Sequence, residues 1–377
     1  MPHTYPIGHF VLADISGYSA YLSEVELEHA NGVLRDLLEL LVGALTPPLS
    51  LVSLAGDSLF AYCPAADLAR GETLLELLEA AYQRFRTQQQ SIARRTTCGC
   101  QACAQISQLD LKFIVHSGAY HLHRLAGHLE PLGLAASLVR SRALKPPPDG
   151  ATRGYALFSA ESLARLDLPA GRLGGQPLTI DTGEAGRLET YRLDLNARYA
   201  AAQAARRTAI TAEAAHAVVV RDLPAAPATV WDWLNDPARR SQWTAGRTWH
   251  AGERPQGRTG PGARNHCDHG LGQATETVLD WQPFDHFTVE LVQRGGRLVI
   301  RQTYQLEPLA GGQQTRLHCH IQFQPPLPRW LARPMGRLSG RQIFKPDLKR
   351  LAVLLAAEAQ QPELGEVPAS DPVSSIG

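Results

Sequence analysis

Two α+β domains in tandem are predicted by three features of the 377-residue sequence. The first half alternates short apolar runs with amphipathic stretches in the order strand, helix, hairpin, helix, strand, which is typical of an α+β sandwich. The second half begins with a strand and a helix, continues as successive strands, and ends on an amphipathic helix. Between the halves lies an Ala- and Arg-rich stretch with little apolar periodicity. A chain of this length can bury a separate core in each of two domains.

The N-terminal elements follow from local patterns. The apolar run FVLADI at residues 10–15 predicts a buried strand, and leucines at helical spacing predict a helix from Glu24 to Leu45. A hairpin is predicted around the turn Ala55-Gly56-Asp57, because apolar runs flank a turn sequence. A second helix is predicted from Leu74 to about Arg86, and the segment LDLKFIVHSGAYHL predicts a further strand pair.

The predicted boundaries divide the chain into four parts. Residues 1–197 form the first domain, 198–215 a linker or linking helix, 216–358 the second domain, and 359–377 a disordered tail rich in Pro, Ser and Glu. The last helix is predicted from near Gly340 to near Glu358. Its apolar face consists of Phe344, Leu348, Leu351 and Leu355.

Composition and charge exclude several classes of protein. The sequence is 44% hydrophobic and 19% charged, and 37 basic against 36 acidic residues leave a formal charge of +1. Such a balance predicts no nucleic-acid partner. No stretch approaches the roughly 18 to 20 apolar residues that span a bilayer, and the N-terminus does not resemble a secretory signal. We therefore expect a cytoplasmic protein without a membrane span, whose cysteines are mostly reduced.

Two segments of the N-terminal half carry aspartates in apolar surroundings: VLADISGY at residues 11–18 and AGDSLFA at residues 55–61. They resemble the first-strand and hairpin motifs of class III nucleotidyl cyclases, and the resemblance covers most of residues 8–195. It implies a ferredoxin-like cyclase homology domain that forms a homodimer. It also implies that Asp14 and Asp57 hold divalent metal, Mg²⁺ or Mn²⁺. Taken singly, each aspartate equally fits a helix cap or a turn.

Other positions depart from that family's catalytic set. The resemblance places Gly133 and Ser137 where active cyclases carry Asn and Arg, and Ser53 where they carry the purine-selecting Lys. Neither Gly nor Ser can neutralise the charge that develops on phosphate, which costs several kcal/mol of transition-state stabilisation. Arg140 and Arg142 could substitute only after a shift in register. The sequence therefore predicts a degenerate domain without catalytic residues.

A cysteine cluster lies in the predicted connection between a helix and a strand. Cys98, Cys100 and Cys103 are separated by small residues that would let the chain wrap one ion, which predicts a zinc site whose fourth ligand is Cys63, His116, His121, His123 or a residue of a second subunit. The alternative is a loop of reduced thiols or a redox pair. The cluster is similar to a loop in a little-characterised bacterial group of cyclase-like proteins, which assigns it no role.

The C-terminal half carries VWDWLNDP at residues 230–237, a Gly-rich segment, successive strands and the closing helix. This order resembles the START-like (SRPBCC, polyketide cyclase-like) superfamily over about residues 216–358. The resemblance implies a helix-grip fold: an antiparallel sheet grips the long C-terminal helix around a cavity for a hydrophobic small molecule. Candidate ligand-binding residues are Trp249, His266, Trp281, Phe287, Tyr304, Phe344, Leu348 and Leu351. Each of them also fits plain core packing.

Three functional hypotheses follow. The first is a non-enzymatic or regulatory protein that couples a ligand in the C-terminal cavity to a dimeric, cyclase-like domain. The second is a metal-bearing half-subunit of a heterodimeric nucleotidyl cyclase. The third is a small-molecule cyclase, hydrolase or lipid carrier that acts through the C-terminal domain alone. Asp14 and Asp57 favour the first two, whereas Gly133, Ser137 and Ser53 favour the first over the second.

Overall fold

The computed structural model describes two domains, each built on a seven-stranded sheet. It describes residues 5–359 except 26, 69, 96–104, 126–127, 142–143, 145–153, 184–185, 206, 256, 271, 294–298, 325–329, 331–333, 335–337 and 339. Within this part of the chain, no helix has the length and apolar character needed to cross a bilayer.

The N-terminal sheet has the strand order β2-β3-β1-β4-β7-β9-β8. The strands of this half are β1 (Ile7–Ser16), β2 (Ser50–Ala55), β3 (Ser58–Pro64), β4 (Asp110–Ala119), β5 (His121–Leu125), β6 (His128–Leu132), β7 (Tyr155–Ser159), β8 (Gln176–Asp181) and β9 (Arg187–Asp194). Strand β1 is antiparallel to both β3 and β4, and β5 pairs with β6 outside the sheet. The order β2-β3-β1-β4 is the ferredoxin-like arrangement, so the predicted fold class of this half is confirmed.

Helices cover both faces of this sheet. They are α1 (Tyr18–Glu24), α2 (Leu27–Leu45), α3 (Gly71–Arg95), α4 (Leu134–Arg140), α5 (Ala160–Arg165) and α6 (Leu195–Ala204). Val11 and Ala13 of β1 pack in one core with α2 and α3, whereas Phe10 and Leu12 pack in another with α4. Strand β1 is therefore buried on both faces, which explains its continuous apolar run.

Two predicted helix boundaries differ from the structure. The helix predicted from Glu24 to Leu45 is α2, which begins at Leu27, and a short helix that was not predicted, α1, precedes it and ends before the extended backbone at Val25. Helix α3 continues to Arg95, beyond the predicted end at Arg86. The extension is polar in sequence, but Gln89 is buried and its amide donates to the carbonyls of Ile106 and Leu109. The predicted hairpin is confirmed, with Gly56 at φ +60° in its turn.

The C-terminal sheet is antiparallel throughout, in the order β10-β16-β15-β14-β13-β12-β11. Its strands are β10 (Ala217–Leu223), β11 (Arg247–Ala251), β12 (Arg264–His269), β13 (Gly272–Gln282), β14 (His286–Gln293), β15 (Val299–Leu309) and β16 (Gln314–Gln324). Helices α7 (Pro227–Asn235) and α8 (Pro237–Trp243) follow the first strand, and α9 (Lys345–Ala359) closes the domain. The predicted helix-grip fold is confirmed.

Helix α9 presents an apolar face to the sheet. Leu348, Leu351 and Leu355 are buried at helical spacing, as the sequence predicts. The helix begins at Lys345, later than the predicted start near Gly340, because the five residues Gly340–Phe344 form a π-helical turn. This wider turn lies beside the end of the sheet where the cavity described below opens.

Helix α6 occupies the first part of the predicted linker, and the chain after it runs along the outer face of the C-terminal sheet. The backbone N–H of Thr208 donates to Asp280 and that of Ile210 donates to the hydroxyl of Thr303. The carbonyl of Ile210 in turn lies 2.7 Å from the buried ring of His320. These contacts fix the path between the domains, so the connection is an ordered strap over most of its described length.

Candidate functional site

A cavity of about 440 Å³ lies between the inner face of the C-terminal sheet and the start of helix α9. Every second side chain of a strand points into the cavity. On β15 these side chains are Ile300, Gln302 and Tyr304. Apolar and aromatic groups dominate: Trp243, Trp249, Leu291, Ile321, Phe323 and Phe344. A cavity of this size and lining suits a small apolar ligand.

One buried ion pair lies in the cavity wall. The guanidinium of Arg240 on α8 donates twice to the carboxylate of Glu276 on β13, at 2.6 Å in both bonds, and Asn265 donates to the same carboxylate at 2.9 Å. The guanidinium carbon lies 3.6 Å from the ring centroid of Trp249. Burial lowers the pKa of Arg240, but the Glu276 carboxylate outweighs burial and raises it above its ordinary value. Arg240 and Glu276 thus form a buried ion pair in the cavity wall.

A second ion pair also belongs to the cavity wall. Arg247 at the start of β11 pairs with Asp347 in the first turn of α9, and the backbone N–H of Ala245 donates to the same carboxylate at 3.1 Å. Asp347 is buried. These contacts connect the start of β11, and Ala245 before it, to the closing helix.

The remaining polar groups of the wall are neutral. The hydroxyl of Tyr304 donates to Gln302 at 2.8 Å, and the indole N–H of Trp249 donates to Thr244 at 3.0 Å. Burial raises the pKa of the Tyr304 phenol, and burial likewise raises the pKa of the Cys267 thiol. Cys267 is thus a protonated thiol at neutral pH, which is a poor nucleophile.

The candidate ligand-binding residues separate into two groups. Trp249, Tyr304, Phe344 and Leu348 line the cavity. His266 is exposed on the outer face, and its neighbours Cys267 and His269 line the cavity instead. This corrects the expectation for His266, because strand alternation sends adjacent side chains to opposite faces.

The other three candidates are buried in the core and do not border the cavity in the described structure. Leu351 is fully buried on the face of α9. Phe287 stacks on Tyr304, with 4.8 Å between ring centroids, and contacts the ring of Trp231. Trp281 also contacts Trp231. These aromatic rings form a packed layer that extends from the cavity wall towards the N-terminal domain.

Helix α3 of the N-terminal domain meets that aromatic layer through Glu76, whose side chain is fully buried. The indole N–H groups of Trp231 and Trp281 donate to its two carboxylate oxygens, at 2.9 and 2.8 Å. Arg70 lies 3.9 Å from this carboxylate and 3.7 Å from Asp232 of α7. Burial raises the pKa of Glu76 to about 7, which Arg70 opposes.

Glu79 extends the same contact one helical turn further. Its carboxylate accepts from Arg198 of α6 at 2.5 Å and from Arg258 of the C-terminal domain at 2.7 Å. Burial acts to raise the pKa of Glu79, but the two arginines outweigh burial and lower it. Glu72 also contacts the C-terminal domain, because its carboxylate accepts a hydrogen bond from the backbone N–H of Thr259 at 3.0 Å. We refer to Glu72, Glu76 and Glu79 as the interdomain carboxylates.

Of the two cyclase-like aspartates, Asp14 lies on β1 and Asp57 lies in the turn between β2 and β3. Asp14 of β1 is opposite Ser58 of β3, and the backbone N–H of Ile15 donates to the carbonyl of Asp57 at 3.1 Å. On the other side, Asp14 is opposite Lys112 of β4, whose ammonium lies 2.5 Å from the Asp14 carboxylate. The Lys112 ammonium therefore neutralises one oxygen of the Asp14 carboxylate. No group of three acidic, His or Cys side chains suited to a metal occurs among the described residues.

The positions that replace the cyclase catalytic set are also described. Gly133 caps helix α4, and a Cβ at this position would lie 2.5 Å from the carbonyl oxygen of Ala119, so a side chain such as Asn does not fit without a backbone shift. Ser137 is exposed on α4. Arg140 pairs with Glu130 and lies over the ring of Phe60. Arg142 and the cysteines Cys98, Cys100 and Cys103 lie outside the described residues.

Comparisons with known proteins give a match for each half. Residues 214–356 match the family described as polyketide cyclase / dehydrase and lipid transport, which confirms the C-terminal resemblance. Residues 34–146 match a family described as protein of unknown function (DUF2652). The chain is 26% identical over 162 residues to the uncharacterized protein Rv2561/Rv2562 of Mycobacterium tuberculosis, covering 43% of this chain and 73% of that protein.

Solved structures match each half separately. Protein MLL2253 from Mesorhizobium loti is similar at 17% identity, over 37% of this chain and 96% of that one, with a TM-score of 0.30. The adenylyl cyclase CyaB from P. aeruginosa is similar at 13% identity, over 50% of this chain and 94% of that one, with a TM-score of 0.35.

Proposed function

We propose that the protein is a non-enzymatic, regulatory ligand-binding protein, in which an apolar small molecule occupies the C-terminal cavity and influences the cyclase-like domain. The observation that carries this proposal is the 440 Å³ cavity between the sheet and helix α9. Its charged groups are paired and its walls are apolar, as expected of a binding site for a hydrophobic molecule. The family match over residues 214–356, which includes lipid transport in its description, supports the same class of ligand.

Binding fits the site better than catalysis does. Cys267 is the thiol in the wall, and burial raises its pKa and so keeps it protonated. In the N-terminal domain, Gly133 and Ser137 provide no positive charge for a developing phosphate, and Asp14 is already paired with Lys112. The cyclase-like domain therefore serves as a partner of the ligand-binding domain, and we propose that it also forms the homodimer expected from the resemblance.

A continuous set of contacts supports coupling between the domains. Tyr304 of the cavity wall stacks on Phe287, and Phe287 contacts Trp231 and Trp281. Both tryptophans donate to Glu76 on helix α3, which packs in the N-terminal core. A ligand that restricts Tyr304 would thus also restrict the residues that hold α3.

The binding role is tested by thermal melting of the full chain with small apolar probes, such as substituted naphthalenes. A ligand that binds the folded form at a hundredfold excess over its dissociation constant stabilises it by roughly 2.7 kcal/mol. The variant Ile300→Trp should fill the cavity and abolish the shift, because Ile300 lines the wall. Val220→Trp, at an exposed position of β10, is the matched control and should retain it. Equal binding by the Ile300→Trp variant would refute the cavity as the site.

A further inference from the structure

The charged side chains of the cavity wall leave no net charge for a ligand to neutralise. Arg240 is paired with Glu276 and Arg247 with Asp347, so each cation already has its own carboxylate. His269 also lines the cavity, from the same strand as Cys267. An anionic ligand would lose its hydration without gaining an unpaired cation, which makes the cavity unfavourable for carboxylates and phosphates.

Gln302 places a side-chain amide in the cavity wall, which also contains Arg240, whose Nε is buried without a hydrogen-bond partner among the described residues. Gln302 lies on β15 between Ile300 and Tyr304, points into the cavity with them, and is only 5% exposed. The side-chain carbonyl of Gln302 accepts a hydrogen bond from the Tyr304 hydroxyl at 2.8 Å. The NH₂ of the same amide takes no part in this bond. Within the described part of the chain, no residue accepts from this NH₂. A buried donor of this kind is normally satisfied by a hydrogen-bond acceptor.

We infer that the ligand is an uncharged, largely apolar molecule with a carbonyl oxygen, and that this oxygen accepts a hydrogen bond from the amide of Gln302. The inference rests on the proposed binding function and adds the chemical class of the ligand. Gln302 is thereby the residue that determines specificity in the cavity. The Tyr304 hydroxyl fixes the orientation of the amide, because it donates to the Gln302 carbonyl and so directs the NH₂ away from itself.

Three naphthalenes that differ in one substituent test this inference: acetylnaphthalene, ethylnaphthalene and naphthoate. They have a carbonyl, a hydrocarbon and a carboxylate group on the same ring. Binding to the full chain is measured by calorimetry at pH 8, where an ordinary histidine is neutral. We expect acetylnaphthalene to bind about three- to tenfold more tightly than ethylnaphthalene, the range of one neutral hydrogen bond, and naphthoate to bind most weakly.

The variant Gln302→Leu should bind acetylnaphthalene and ethylnaphthalene equally well, since it keeps the volume and removes the donor. It also removes the acceptor of the Tyr304 hydroxyl, so the double variant Gln302→Leu/Tyr304→Phe, which removes both partners, provides a second measurement if the single variant unfolds.

Two results would overturn the inference and leave the binding function intact: tightest binding of naphthoate, or an unchanged preference for acetylnaphthalene in the Gln302→Leu variant. Failure of all three probes to bind would instead refute the proposed function itself, and this inference with it.

Discussion

Glu76 of the N-terminal domain accepts a hydrogen bond from the indole of Trp281 in the C-terminal domain, at 2.8 Å in a fully buried setting. Trp231 donates to the other carboxylate oxygen, so one side chain connects helix α3 to two aromatic residues of the ligand-binding domain. An uncompensated carboxylate in this position would be very unfavourable. The contact between the domains therefore depends on the protonation state of Glu76.

The first prediction concerns pH. Burial raises the pKa of Glu76 from 4.5 to about 7 in the folded chain, so the folded state binds the proton more tightly than the unfolded state. Stability from this group is fully present below about pH 4.5 and is lost as pH rises through about 7. Denaturant unfolding of the wild type and of the Glu76→Gln variant between pH 5 and 8 measures this loss of stability. The stability of Glu76→Gln relative to wild type should increase with pH, and parallel curves would contradict the prediction.

The second prediction concerns metal at the cyclase-like aspartates. Because the Lys112 ammonium is paired with Asp14, we expect no stoichiometric Mn²⁺ binding there by electron paramagnetic resonance. Lys112→Met should destabilise the fold by about 2 kcal/mol, between the values for exposed and buried pairs, since the Lys112 side chain is 21% exposed. Arg165→Met, which breaks an exposed pair with Glu161, is the control and should cost well under half as much. Mn²⁺ bound by wild type and lost in Asp14→Ala would show that metal displaces the lysine.

The third prediction concerns catalysis. The purified protein alone should form no cyclic nucleotide from ATP or GTP with Mg²⁺ or Mn²⁺, because Gly133 and Ser137 stand in place of the charge-stabilising pair. Product is measured by chromatography after prolonged incubation. Steady formation that disappears in Asp14→Ala would make the protein a cyclase.

The fourth prediction concerns the cysteine cluster, which lies outside the described residues. If Cys98, Cys100 and Cys103 hold zinc, metal analysis should find about one ion per chain or per dimer, and Cys100→Ser should lose it and melt at a lower temperature. Cys63 is fully buried in the N-terminal core. The variant Cys63→Ser tests whether Cys63 is the fourth ligand, since it should lose the zinc only in that case. Metal-free protein with freely titratable thiols would favour the redox or structural alternative.

Much of the fold follows from local sequence. The apolar run of β1, the turn at Gly56 and the leucines of α9 each determine their element through nearby residues. Trp249 and Tyr304 could also be identified as cavity candidates. Both are aromatic residues on strands of a helix-grip sheet, and aromatic residues that point inward from such a sheet line the cavity. The alternation alone did not fix which of His266 and Cys267 points inward, because a shift of one residue exchanges the two faces.

The polar part of the site could not be predicted in the same way. Arg240 and Glu276 are 36 positions apart, and charged residues are ordinarily exposed, so nothing in either segment indicates a buried pair. The contact between Glu76 and Trp281 joins residues 205 positions apart. Within α3, Glu76 fits the polar face of an amphipathic helix, and its burial becomes apparent only once the second domain is in place.

The last prediction concerns coupling between the cavity and helix α3. Acetylnaphthalene should slow hydrogen exchange in the first two turns of α3, because Tyr304, Phe287 and Trp281 connect the cavity wall to Glu76. Trp281→Phe keeps an aromatic ring but removes the hydrogen bond, so the variant should still bind the probe while α3 loses most of the added protection. Trp233→Phe is the matched control: it removes an indole bond to Glu358 within the C-terminal domain and should leave the protection of α3 unchanged. Equal effects of both variants on α3 would indicate general destabilisation and contradict the proposed coupling.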